Sequence, residues 1–149
     1  FVQSLAPLHK ESNEAFLFHG TRPQSAEAIV IDNFRLNLAG SHAGTAFGRG
    51  IYLAESVAKS DEYTTPDYQG LHTILMCRAT LGNSYYYDGP GFCGGARFER
   101  LCGFGLYGFA EYQSVLADRE KTSGTFREFV FFRDDLIYPE FMIFYEHDG

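Results

Sequence analysis

The chain has no tryptophan, two methionines and three cysteines in 149 residues. Cys77, Cys93 and Cys102 are odd in number and form no CxxC pair. Neither a disulfide scaffold nor a thiolate zinc site is therefore expected, and a reducing, intracellular compartment, cytoplasmic or nuclear, fits best. Basic charge is also scarce. Twelve Lys and Arg stand against 19 Asp and Glu, a net charge of -7, and no cationic run is long enough to follow a phosphate backbone. Direct binding of nucleic acid through charge is not expected. No apolar stretch approaches the roughly 20 residues that cross a bilayer, and no signal-peptide pattern opens the chain, so no membrane contact is expected. No GxGxxG follows a strand and opens a helix, which argues against a Rossmann sheet.

What is abundant is rings. Fifteen Phe and ten Tyr make up the aromatic share, enough to build a core of rings and to line a pocket for a flat ligand. The length suits one domain, residues 1–149, and the start at Phe1 reads as a domain cut from a longer protein. AFLFHG, GIYLA, LHTILMCRATLG, EFVFFRD and LIYPEFMIFYEH read as strands. PQSAEAIVIDNF reads as a helix with Pro23 in its first turn, and a short helix is predicted over residues 56–63. Few helices separate the strands, which predicts an antiparallel α+β domain. Glycine gathers over residues 40–50 and 82–108, and the second stretch reads as a long irregular connection.

In GRGIYLAESVAKSDEY (residues 48–63), Tyr52 lies on the strand and Tyr63 at the far end of the helix. Their rings could face each other across a slot one ring wide, or both could be core tyrosines with satisfied hydroxyls. His19 closes the apolar strand AFLF and is followed by Gly20 and Thr21, a tight turn that puts an imidazole and backbone amides at a strand end.

Taken together, these segments resemble the catalytic domain of the poly(ADP-ribose) polymerase family, the diphtheria-toxin-like ADP-ribosyltransferases with a His-Tyr-Glu triad. LFHGTR is similar to the family's HG(S/T)R turn, GRGIYLAESVAKSDEY to its GxGIYFA…SKSxxY element, MCRATLGN to the strand and turn that follow, and REFVFFRDDLIYPEFMIFY to its carboxy-terminal hairpin, most closely that of tankyrases. The resemblance implies a mainly antiparallel, split β-sheet core with a few short helices. It also implies NAD as co-substrate and transfer of ADP-ribose to protein side chains with release of nicotinamide. His19 would hydrogen-bond the adenosine ribose; Gly20, with Thr21 beside it, and the Ser60 hydroxyl would grip the nicotinamide amide. Tyr52 and Tyr63 would sandwich the ring, and Arg35 would approach the adenosine or phosphate part. Lys59 would neighbour the site or stand in solvent. Tankyrases carry a cysteine and histidine zinc insert after the second tyrosine; here TTPDYQGLHT offers His72 and no cysteine, so no metal is expected.

One carboxylate suffices for this chemistry, because nicotinamide leaves as a neutral molecule from a cationic pyridinium while positive charge grows on the ribose. Glu128, heading the strand FVFF, is the expected catalytic carboxylate, since the hairpin match continues from it without a gap; Glu111 in AEYQSV has no such continuation. Asp134, Asp135 and Glu140 read as solvated hairpin charges. An NAD glycohydrolase and a catalytically silent NAD or ADP-ribose binding module are the alternatives.

Overall fold

The computed structural model describes residues 11–38, 46–91, 95–102 and 111–149. Along the chain run β1 (Glu14–Gly20), α1 (Pro23–Asp32), β2 (Ile51–Leu53), α2 (Val57–Asp61), β3 (His72–Thr80), β4 (Ser84–Tyr87), α3 (Gly95–Cys102), β5 (Ser114–Ala117), α4 (Arg119–Ser123), β6 (Glu128–Phe131) and β7 (Ile137–Tyr145). The strands form two sheets, β1-β3-β7 and β2-β6-β5-β4. The α+β class and the division of the strands between two sheets agree with expectation.

Position in a sheet explains why some strands alternate and others do not. β1 buries Ala15 and Leu17 and leaves Phe16 and Phe18 half-exposed, the period-two pattern of a strand with one face on the core. β3 lies between β1 and β7, and β6 between β2 and β5, so HTILMCRAT and EFVF are buried on both faces over most of their length. Pro139 is tolerated because β7 is an edge strand, and the β3–β7 register shifts at Met76 and Cys77, opposite that region.

Two apolar clusters carry the packing. One fills the space around Leu17, Leu53, Leu75, Phe129 and Phe131. The other is built from rings: Phe98 of α3 meets Phe47 at 6.2 Å and Tyr87 at 4.9 Å between centroids, with Val115 and Val130 beneath. The sheets are stitched by a pair of backbone bonds, Phe18 N–H to the Ala54 carbonyl at 2.7 Å and Ala54 N–H to the Phe18 carbonyl at 2.9 Å. This stitch brings the end of β1 against the end of β2.

The glycine-rich stretch 82–108 departs from expectation. It holds β4 and α3, and β4 pairs in parallel with β5, Ser84 opposite Ser114. A parallel pair needs a crossover, and α3 lies on it. Gly48 has φ +105°, and a Cβ there would stand 2.9 Å from the Gly95 carbonyl, so the loop before β2 and the start of α3 meet through glycine on both sides. Residues 39–45, 92–94 and 103–110, Cys93 among them, lie outside the described residues.

Cys77 and Cys102 are buried and free, and burial pushes both thiols up to about 12. Since the thiolate is the reactive form, peptides containing Cys77 or Cys102 should carry an alkylating label only after denaturation, as read by mass spectrometry of protein treated at neutral pH. Rapid labelling of Cys77 in the native protein would contradict this packing.

Candidate active site

β1, α1, β2 and the turn after α2 together wall a cavity of about 890 Å³, within the range of small-molecule sites. His19, Gly20, Thr21, Arg35, Tyr52 and Tyr63 line it, as do Phe34 and Arg22. Six of the residues expected at the site thus share one cavity.

Tyr52 sits between buried Ile51 and Leu53 on β2, so alternation turns its side chain to the opposite face. Its hydroxyl donates to the Gly48 carbonyl at 2.7 Å and accepts the Phe47 N–H at 3.0 Å. Burial, with the charges of Glu128 and Glu99, raises its pKa, so the phenol stays protonated. The hydroxyl of Tyr52 is thus satisfied, and the residue lines the cavity together with Tyr63.

Tyr63 follows α2, and its hydroxyl donates to Glu128 Oε1 at 2.8 Å. Burial and the adjacent carboxylate raise its pKa as well. Lys59, one turn earlier, is buried rather than solvated: its ammonium donates to Glu62 at 2.7 Å and sits 5.2 Å from the centre of the Tyr63 ring. The ring is thus held by its hydroxyl and by a cation at its face.

His19 donates from Nδ1 to the Tyr52 carbonyl at 2.8 Å and meets Phe34 edge-on at 5.0 Å. Burial lowers its pKa, so the imidazole is neutral at pH 7. With Nδ1 carrying the proton, Nε2 is left as an acceptor. A ribose hydroxyl is the kind of donor it would take.

Gly20 cannot be another residue, because a Cβ there would fall 1.7 Å from the Ser60 carbonyl oxygen. Ser60 differs from expectation. It is 2% exposed, and its hydroxyl donates to the Phe18 carbonyl at 2.9 Å, so its proton is committed to fastening α2 to β1. Arg35 is exposed and paired with Asp32 at 3.2 Å, on the rim of the cavity.

Glu128 is 2% exposed at the head of β6, opposite Ala117 of β5. Its second oxygen, Oε2, lies 3.5 Å from Arg119 Nη1. A buried carboxylate is costly unless paired, and Tyr63 and Arg119 supply its partners from two separate elements. Arg119 was not foreseen: on a short polar helix it reads like any surface arginine. On the other side of β6, Arg127 pairs with Glu55 just after β2 at 2.5 Å, drawing the two strand ends together. Glu111 is exposed and offers only its backbone carbonyl, to Asn83 at 3.2 Å. Asp134, expected to be solvated, accepts the Leu36 N–H at 3.1 Å, and Glu140 pairs with Arg78 at 2.8 Å.

The family is evident beyond this geometry. A model of the "Poly(ADP-ribose) polymerase catalytic domain" matches residues 2–88, and the chain belongs to that family. Among curated relatives, the human "Protein mono-ADP-ribosyltransferase PARP12" is 32% identical over 136 residues, 91% of this chain and 18% of that protein. The "Poly [ADP-ribose] polymerase tankyrase" of Caenorhabditis elegans is 33% identical over 82 residues, 54% of this chain and 4% of that protein. Mouse "Protein mono-ADP-ribosyltransferase PARP11" is 44% identical over 75 residues, half of this chain and 22% of that protein. The chain spans less than a quarter of the length of each of these relatives. The family match ends at residue 88, short of Glu128.

Two outcomes follow. Tyr63→Ala should weaken a nicotinamide mimic by about 1–3 kcal/mol in calorimetry through lost stacking and burial, whereas Tyr63→Phe should retain most of that affinity. An unchanged affinity with a collapsed melting temperature would make Tyr63 a core residue only. Second, because the folded His19 pKa lies below its ordinary 6.5, the unfolded chain takes up a proton that the folded chain refuses as pH falls. This part of stability is complete above pH 6.5 and declines below it, so His19→Gln should flatten the fall in denaturation midpoint on the acid side of about 6.5.

Proposed function

We propose that the chain transfers ADP-ribose from NAD to a protein side chain and releases nicotinamide. The observation that carries this reading is the buried Glu128 carboxylate just behind the cavity wall, hydrogen-bonded to Tyr63, which lines the cavity together with His19 and Tyr52. A module that only binds would gain nothing from a costly buried carboxylate beside its ring-binding residues.

The residues divide the work as follows. Tyr52 and Tyr63 take the nicotinamide ring between them, and Gly20 and Thr21 offer backbone groups to its amide. His19 accepts from the adenosine ribose through Nε2, and Arg22 and Arg35 stand toward the phosphates. Glu128 stabilises positive charge as it develops on the nicotinamide ribose, where a fixed carboxylate in a dry site acts more strongly than in water. The same oxygen can accept the proton of an incoming hydroxyl. Tyr63, bonded to Glu128, links ring binding to the placement of this carboxylate. The acceptor is a protein, and the cysteine pattern and net charge favour an intracellular partner over nucleic acid or membrane.

Glu128→Gln should keep NAD affinity within a few-fold of the parent while transfer falls about a hundredfold to a thousandfold, as read with labelled NAD on a denaturing gel. Glu111→Gln should be nearly silent. A sharp shifted band reads as single transfer and a smear as polymer. Free ADP-ribose without protein label would mark a glycohydrolase, and near-parent labelling by Glu128→Gln would overturn the role of this residue.

A further inference from the structure

A second group of ionisable side chains gathers at the end of α2, outside the residues that line the cavity. Asp61 ends α2, His72 opens β3, and His147 follows β7. The β3–β7 register sets His72 opposite Tyr145, and two residues further His147 comes back to the same side. The two imidazoles stack with centroids 4.0 Å apart and 26° between planes. His147 Nε2 lies 2.7 Å from Asp61 Oδ1, and the Tyr145 hydroxyl donates to that same oxygen. A carboxylate oxygen of Asp61 and one ring nitrogen from each histidine all fall within 4.8 Å of one another.

The hydrogen bonds around the trio prepare it for an ion. Thr64 donates to the Asp61 carbonyl at 2.9 Å and lies 2.8 Å from His72 Nδ1, an arrangement that suits the Nδ1–H tautomer. This leaves the Nε2 lone pair bare. Support of a histidine through its other ring nitrogen, and of a carboxylate by a further donor, is the usual outer shell of a metal ligand set. Thr64 and Tyr145 occupy those places here.

We infer that Asp61, His72 and His147 form a site for one zinc-class divalent ion, which ties the end of β7 to the helix leading into Tyr63. Two imidazoles and one carboxylate suit zinc and its transition-metal neighbours rather than calcium or magnesium, which prefer all-oxygen shells. Zinc bonds of about 2.0–2.2 Å place tetrahedral ligands roughly 3.3 Å apart, so binding would open the 2.7 Å His147–Asp61 contact, draw His72 inward and turn the His147 ring out of its stack on His72. His147 has a side chain 53% exposed and can make that rotation without disturbing the core. The fourth position is left for water. No single segment marks this trio, because the stretch after the second tyrosine holds His72 and no cysteine, while Asp61 and His147 come from other parts of the chain. The inference does not depend on the transferase reading.

The test is a titration of chelator-stripped protein with Zn²⁺ by calorimetry and with Co²⁺ by visible absorption, alongside thermal melting. The expected result is one saturable ion per chain, a melting temperature that rises with occupancy, and Co²⁺ bands of four-coordinate intensity. His147→Ala and Asp61→Asn should each weaken binding by about tenfold to a hundredfold or more, since loss of a mere supporting bond already costs that much in such sites. His147→Ala alters an exposed side chain, and its fold is checked by circular dichroism without metal. Absence of saturable Zn²⁺ binding, or binding undiminished in both variants, would leave the trio as a simple ion-pair latch and overturn the inference.

Discussion

The hydrogen bond from the Tyr63 hydroxyl to Glu128 Oε1, 2.8 Å long, is the contact on which the site depends. It joins the turn after α2 to the head of β6. Without it, a carboxylate that is 2% exposed would retain only Arg119 as a charged partner, at the loose distance of 3.5 Å. Several features follow from keeping this bond. Ser60 fastens α2 to the β1 backbone, Gly20 lets the two backbones approach, and the Arg127–Glu55 pair fixes the start of β6 against the end of β2. The cavity wall is assembled from elements far apart in sequence, and these contacts set its shape.

The cavity carries arginines despite the net value of -7. Arg22 and Arg35 stand on the cavity wall with Asp32 and Glu62, where Arg35 pairs with Asp32 and Lys59 with Glu62. Net charge describes long-range steering, whereas affinity for a phosphate depends on the groups at the wall. His19 adds no charge, since burial keeps it neutral, and acts through the direction of its Nε2 lone pair.

Much of this was legible in the sequence where function constrains local spacing. The His19–Gly20 turn, the Tyr52 to Tyr63 interval and the hairpin from Glu128 are each contained in one short segment; His19, Gly20, Tyr52 and Tyr63 line the cavity, and Glu128 heads β6 and meets it through Tyr63. What was not legible depends on distant partners. SVLA at β5 is four residues, buried on both faces, and shows no alternation to mark it as a strand. β4 and α3 were hidden by glycines that read as loop but serve close backbone approach, as Gly48 and Gly95 show. Arg119 is ordinary in sequence and reaches Glu128 only because β5 and β6 pair in antiparallel register. Ser60 was expected to offer its hydroxyl at the site, but the carbonyl that takes its proton lies on β1, 42 residues earlier.

The central claim is that Tyr63 and Glu128 act as one unit, and a double-mutant cycle measures this directly. Turnover of NAD would be compared as kcat/KM for the parent, Tyr63→Phe, Glu128→Gln and the double variant. The account predicts a coupling energy of about 1–2 kcal/mol, the double variant being far less impaired than the two single losses summed. Additivity within about 0.5 kcal/mol would contradict it, and would leave the two residues as independent neighbours.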